Sequence, residues 1–171
     1  MAVFTRDPGA SGAQGRTVPG LVERRVYVQA QARIVWAVLH DPTNTGALFP
    51  ELRLGPAAPA WPAAATTREG SAHVGLLREH ARVESLEARP ARSFRMRVTG
   101  SGFTSEWSWR LEPADGGGTR VIHSATFDPL DRWAGFLVRL GRRSLGSRVE
   151  AHLRILKERA EAAERSIQRS S

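Results

Sequence analysis

Residues 103–113, FTSEWSWRLEP, decide the fold, because their side chains largely alternate between apolar and polar. In an extended strand such alternation puts every second side chain on the same face of a sheet. One face carries large apolar side chains, with Ser105 among them: Phe103, Trp107, Trp109 and Leu111. The other face is polar: Thr104, Glu106, Ser108 and Arg110. The segment therefore predicts a strand with one buried and one solvated face, as in antiparallel sheets.

The segments around this strand predict further antiparallel strands. Phe94, Met96 and Val98 alternate with Arg95 and Arg97 just before it. Turn-forming residues such as Gly100-Ser101-Gly102 separate these segments, and short turns between consecutive strands favour hairpins. The predicted strand segments are 70–78, 80–88, 92–99, 103–112 and 118–127. A proline-rich stretch over 51–66 precedes them and is an edge strand at best, otherwise a loop.

The N-terminal part of the ordered chain predicts one strand followed by a helix. Residues 21–28 alternate like a half-buried strand, and residues 31–40 place apolar side chains at helical spacing. The helix ends at Asp41, because the residue before Pro42 avoids the α region. A short turn or helix over 43–49 follows.

The C-terminal part changes to a helical period after Leu130. Apolar side chains recur there at spacings of mostly three and four, which is typical of one long amphipathic helix, kinked or interrupted near Gly141 and Gly146. The fold class is therefore α+β: a curved antiparallel sheet of six or seven strands around a long C-terminal helix, with one or two short helices after the first strand. A single helix covering such a sheet leaves space for a ligand between them.

This order of elements resembles the START-like superfamily, also called SRPBCC, which includes polyketide cyclases and lipid-transfer domains. The stretches that carry the likeness are VYVQAQARIVWAVL (26–39), WSWRLEP (107–113), GGGTRVIHSATFDP (116–129) and LRILKERAEAA (153–163). The resemblance implies a helix-grip fold with a seven-stranded sheet and an internal cavity for lipids, polyketides, sterols or plant-hormone-like molecules. It transfers no catalytic residue, since members differ in catalysis. The stretch DPTNTGALFPEL (41–52) lacks the pattern of the ubiquinone-binding branch, and the aromatase/cyclase branch has no convincing match here.

Length and composition predict a single START-like domain over residues 21–168 of the 171-residue chain. Residues 1–20 are rich in glycine, alanine and serine and predict a disordered tail without the pattern of a secretory signal. The chain has no cysteine, which excludes disulfides and thiolate chemistry. No apolar run is long enough to span a membrane. These features favour a cytoplasmic protein.

The net charge of +8 comes almost entirely from arginine, since Lys157 is the only lysine. The arginines are spread along the chain, which argues against a nucleic-acid partner and for solvated surfaces. A local cluster consists of Arg139, Arg142, Arg143 and Arg148. It is either an exposed helix face or a docking surface for an acidic partner, a nucleic acid, an anionic head group or, transiently, a membrane.

The candidate binding site is the apolar side of the sheet together with the start of the long helix. Its predicted lining is Phe94, Met96, Val98, Phe103, Trp107, Trp109, Val121, His123, Phe127, Trp133 and Leu137. The two tryptophans at 107 and 109 share a face, so they either form an aromatic wall for a flat ligand or fill the core. His123 has the parity of Val121 and Phe127. It is either a hydrogen-bonded core histidine or the one candidate acid/base residue.

Other chemistries find little support in the sequence. His40, His73, His80 and His152 have no metal-ligand spacing, so we predict no metal site and no cofactor. The glycines at 116–118 lack a following Lys-Ser/Thr and form a hairpin turn rather than a phosphate loop. The leading hypothesis is binding or carriage of an apolar small molecule. The alternatives are a polyketide-cyclase-like enzyme that uses His123 and an interaction module that uses the basic cluster.

Overall fold

A computed structural model describes residues 21–56, 60–74, 77–129 and 132–170. The side chains of these residues are described apart from those of residues 74, 77, 129 and 132–144. The predicted tail over 1–20 lies outside this part of the chain. No helix in the described ranges is long and apolar enough to cross a membrane.

The chain alternates short connections with long antiparallel strands and finishes in one long helix. The strands are β1 (Val22–Val28), β2 (Leu52–Leu54), β3 (Thr67–Val74), β4 (Leu77–Arg89), β5 (Ser93–Thr99), β6 (Phe103–Pro113), β7 (Thr119–Ala125) and β8 (Asp128–Pro129). The α-helices are α1 (Ala32–His40), α2 (Pro42–Leu48) and α3 (Arg132–Arg169), and a 3-10 turn spans Asp115–Gly117.

The strands form one antiparallel sheet in the described part of the chain. Its order is β1-β7-β6-β5-β4-β3-β2, and β8 pairs with β6 beside that path. From β2 to β7, strands that are consecutive in the chain are also neighbours in the sheet. The first strand, β1, instead pairs with β7 and forms the other edge of the sheet. The seven strands of this path, with the long C-terminal helix, form the predicted helix-grip α+β fold, and the prediction is confirmed.

The two short helices begin and end where local chemistry requires. Asp41 has an extended backbone and accepts a hydrogen bond from the Thr43 amide at 2.8 Å, which caps α2. Pro42 occupies the first turn of α2, where its missing N–H costs nothing. The segment predicted as a turn or a helix is therefore a helix.

The long helix α3 runs without interruption through Gly141 and Gly146, where a kink or a break was the expectation. A Cβ atom at Gly146 would lie 3.4 Å from the Arg24 guanidinium, which is ordinary van der Waals contact. Arg24, which interrupts the apolar side of β1, pairs with Glu150 of α3 at 2.8 Å. This ion pair connects α3 with the β1 edge of the sheet.

The two faces of the sheet differ as the alternation predicts. The inward side chains of β5 and β6 are buried, including Phe94, Met96 and Trp109. On the outer face Glu106 pairs with Arg97 at 2.6 Å and with Arg95 at 3.4 Å. Hydrophobic burial on one face therefore sets the orientation of β5 and β6, and ion pairs lie on the other face.

Candidate functional site

Trp109 lies at the centre of an aromatic cluster on the concave face of the sheet. Its ring stacks on His123 with centroids 4.3 Å apart and planes 11° apart. Phe94 stacks on it from β5 at 5.7 Å, and Phe49 meets its edge at 5.5 Å. Trp107, two residues away, contacts the same Phe49 at 5.6 Å. Adjacent strands and the α2–β2 connection thus bring these rings together.

The structure places most of the predicted lining residues in the interior, in contact with each other. Phe127 is only partly buried and stacks on Phe103 at 5.1 Å. The buried ones are Phe94, Met96, Val98, Phe103, Trp107, Trp109, Val121 and His123. Trp133 and Leu137 belong to α3, but their side chains lie outside the described residues.

Of the four arginines in the predicted basic cluster, one has a described side chain, Arg148. The side chains of Arg139, Arg142 and Arg143 lie outside the described residues. Arg148 reaches the carbonyl oxygen of His73 at 3.5 Å. The role of this cluster therefore stays a prediction.

His123 is fully buried, and protein atoms occupy both of its ring nitrogens. Nδ1 lies 2.9 Å from the carbonyl oxygen of Ser108. A carbonyl only accepts hydrogen bonds, so Nδ1 carries the proton and donates it. Nε2 lies 3.1 Å from Nδ1 of His152 on α3. His123 can therefore contact a ligand only by exchanging one of these partners.

His152 links His123 to a buried carboxylate. Its Nε2 lies 2.8 Å from Oε1 of Glu51, and the two side chains are 4% and 8% exposed. This approach is a close ionic contact and not a regular hydrogen bond, because the N–H direction and the oxygen are misaligned; neither atom has a well-aligned partner. Phe49 and Trp107 pack against the His152 ring at 5.2 Å, so water is kept from the pair.

The three buried groups must hold one proton beyond those of two neutral histidines. Nδ1 of His123 donates to Ser108, so a neutral His123 accepts from His152 through Nε2. Nε2 of a neutral His152 and Oε1 of Glu51 would then present lone pairs to each other at 2.8 Å. One proton between them removes this repulsion and leaves the group without net charge, which a low-dielectric interior tolerates. We call His123, His152 and Glu51 the buried triad.

Burial is the main reason that the pKa of His123 falls, with the charge on His152 as the second cause. These effects lower the pKa from 6.5 to about 3, against the opposing effect of the Ser108 carbonyl. Between these two values the unfolded chain binds a proton that the folded chain does not. The contribution of His123 to stability is therefore complete above pH 6.5 and is lost as the pH falls toward 3.

We expect the free energy of unfolding to fall by about 2 kcal/mol between pH 7 and pH 5. Urea unfolding at the two pH values measures this difference. His123→Gln should reduce the loss without abolishing it, because burial also lowers the pKa of His40. His80→Asn is the control, since that side chain is 77% exposed. Equal stability of the wild-type protein at both pH values would contradict the burial argument.

Two members of the buried triad, His152 and Glu51, were not predicted as site residues from the sequence. His152 was noted only as a residue without metal-ligand spacing, and Glu51 lies in the proline-rich stretch. One signal was available: His152 falls on the apolar stripe of α3 between Val149 and Leu153, which are 1% and 0% exposed. A histidine in that position must find a polar partner in the interior.

An open groove of about 220 Å³ lies away from the triad, near the C-terminal end of α3. The β1–α1 connection, the glycines of the β6–β7 turn, Glu164 and Gln168 line it. Glu164 already accepts a hydrogen bond from the Gln31 amide at 3.0 Å. This groove is a surface feature between loops and is separate from the predicted interior site.

Comparisons with known proteins agree with this architecture. A family model described as "Polyketide cyclase / dehydrase and lipid transport" matches residues 20–161. Comparison with curated protein sequences finds no significant match.

Three solved structures illustrate the likeness. The protein TTHA0849 of Thermus thermophilus is 24% identical with a TM-score of 0.67, covering 84% of this chain and 98% of its own. The Zhui aromatase/cyclase of Streptomyces sp. R1128 is 19% identical with a TM-score of 0.64, covering 82% and 93%. A START superfamily protein of Mycobacterium smegmatis is 11% identical with a TM-score of 0.58, covering 86% and 99%. At these identities the likeness concerns the fold alone.

Proposed function

Because the chain belongs to the polyketide cyclase / dehydrase and lipid transport family, we propose that it binds a hydrophobic small molecule between the concave face of its sheet and α3. Family and fold together support hydrophobic-ligand binding or a cyclase-type activity. The binding function is the broader of the two, since a cyclase must also bind its substrate.

The observation that carries this proposal is the position of α3 on the sheet. Its backbone packs chiefly against β1, β7 and β8 and against α1 and α2. The concave face of β4 and β5 lies further along the curve of the sheet and carries apolar side chains that are at most 2% exposed: Ala81, Val83, Met96 and Val98. An apolar ligand would lie on this face and displace part of the contacts that the side chains now make with each other.

Burial of apolar ligand surface sets an upper limit on the affinity of such a site. Burying about 300 Å² of apolar ligand surface yields roughly 7 kcal/mol at about 25 cal/mol per Å². Losses of ligand freedom and the rearrangement of side chains reduce this figure. Affinity in the micromolar range or weaker follows without any ion pair.

Enlarging a side chain on the concave face should block the site. We expect Val98→Phe to weaken binding of pyrenebutanol, a neutral apolar probe, at least tenfold, because the added ring occupies ligand space. Thr99→Phe is the matched control, since the next residue along β5 is exposed on the outer face. A fluorescence titration measures both affinities.

Circular dichroism checks that both variants remain folded, because overpacking of a core costs about 1–3 kcal/mol. If Val98→Phe binds the probe as tightly as Thr99→Phe does, the ligand does not lie on this face. If the wild-type protein binds no neutral apolar probe, the proposed function itself is wrong.

A cyclase-type enzyme is the second candidate, and the buried triad favours it. Aldol closure of a poly-β-ketone takes a proton from a methylene between carbonyls and returns a proton to the new alkoxide. A group that holds one transferable proton can serve both steps. In that case Glu51→Gln, which preserves size, should abolish cyclisation of a poly-β-keto thioester and leave pyrenebutanol affinity unchanged. Absence of cyclisation by the wild-type protein would remove this candidate.

A further inference from the structure

Arg68 of β3 is a buried arginine on the inner face of the sheet. It shares the parity of Ala72, which is 3% exposed, and it is itself only 8% exposed. Its neighbour across the strand pair is the fully buried Val83 of β4. Arginine almost never takes such a position unless a partner compensates its charge.

The guanidinium of Arg68 has no such partner among the described residues. One nitrogen, Nη2, donates to the carbonyl oxygen of Gly55 at 2.6 Å. The Nε–H is buried and has no hydrogen-bond acceptor. No carboxylate of the described chain lies within ion-pair distance of it. Burial alone lowers the pKa of Arg68, which agrees with the absence of a neighbouring acid, and the group stays charged.

An aromatic path connects Arg68 to the proposed binding site. Its guanidinium carbon lies 5.4 Å from the centroid of the Trp61 ring, a cation–π distance. Trp61 meets Phe94 edge-on at 6.0 Å, and Phe94 stacks on Trp109 at 5.7 Å. Arg68 therefore lies at one end of the same aromatic wall that the apolar part of a ligand would contact.

We propose that the ligand of this protein carries a carboxylate, which Arg68 binds while the apolar body of the ligand lies along the aromatic wall. A carboxylate supplies the missing negative charge and accepts from the free Nε–H together with a second N–H of the same guanidinium. A ketone or an alcohol would leave the buried charge uncompensated. This inference rests on the proposed function and narrows its ligand to amphipathic monoacids.

Two probes that share one apolar body test the inference. Pyrenebutanoate and pyrenebutanol differ in the carboxylate alone, and energy transfer from tryptophan to pyrene reports the binding of each. We expect the wild-type protein to bind pyrenebutanoate at least tenfold more tightly than pyrenebutanol, because a hydrogen bond to a charged group contributes more than a neutral one. This comparison needs no variant.

Arg68→Met should remove the preference, because pyrenebutanoate loses the charge that pairs with its carboxylate whereas pyrenebutanol has no charge to pair. Arg53→Met is the matched control: it removes the same charge from the exposed side of the neighbouring strand β2. Without ligand, Arg68→Met should be at least as stable to urea as the wild-type protein, since methionine replaces an uncompensated charge. A structural role alone would instead lower its stability and leave the preference intact.

The other possible results distinguish a failure of the carboxylate inference from a failure of the proposed function. Equal binding of both probes by the wild-type protein, or a preference that survives in Arg68→Met, overturns the carboxylate inference and leaves the proposed function standing. Failure of the wild-type protein to bind either probe contradicts the proposed function, and the inference falls with it.

Discussion

Glu51→Met is expected to lower the free energy of unfolding by about 3 kcal/mol, because it removes the carboxylate that lies against the buried His152 ring. In the wild-type protein Nε2 of His152 lies 2.8 Å from the Glu51 carboxylate. In the variant Nε2 would face a thioether in an apolar interior instead. A polar group stranded in this way loses its hydration without compensation. Urea unfolding at pH 7 measures the loss.

Glu158→Met is the control for this variant, since that side chain is 64% exposed and its ion pair with Arg154 contributes little. The double variant Glu51→Met/His152→Leu should regain part of the stability, because both partners are then apolar. A loss below 1 kcal/mol for Glu51→Met, about that of a typical surface change, would mean that the triad does not share a proton.

Trp109→Ala is expected to cost about 4 kcal/mol, the second large effect. The indole is 1% exposed and contacts four other rings, so its removal leaves a void that rigid neighbours cannot fill. Stacking on His123 would also be lost, which removes part of what orients the triad. Chemical unfolding monitored by far-ultraviolet circular dichroism measures the change.

Tyr27→Ala serves as the control, because Tyr27 is 45% exposed on the outer face of β1. It should change the unfolding free energy by less than about 1 kcal/mol. If the two variants lose similar amounts, Trp109 does not hold the interior together, and the aromatic wall is not a rigid surface against which a ligand is recognised.

The architecture could be predicted from the sequence because apolar and polar residues alternate strongly in β5 and β6. Alternation around Trp107 and Trp109 states which side chains face inward, and a one-residue slip would expose all of them. The glycine-rich turns identify the hairpins. The same parity places His123 inward, and the structure has it fully buried with both nitrogens bonded.

The polar partners of His123 could not be predicted from the sequence, because they are distant along the chain. His123 and His152 are separated by 29 positions, and no local spacing relates either of them to Glu51. Such contacts depend on how α3 lies across the sheet, which pattern alone does not specify. The burial of Arg68 could not be predicted for a different reason. Its strand β3, TREGSAHV, has too few apolar residues to indicate which of its faces is inward.

The indole N–H signals of the tryptophans provide the most direct test that the interior holds a ligand. The chain has 5 tryptophans, and Trp107 and Trp109 belong to the aromatic cluster on the concave face of the sheet. In ¹⁵N-labelled protein titrated with pyrenebutanol we expect the signals of these two to shift with one-to-one stoichiometry, and Val98→Phe should need at least ten times more probe for the same shifts. Signals of Trp107 and Trp109 that stay in place while the probe binds, or no binding at all, would contradict the account.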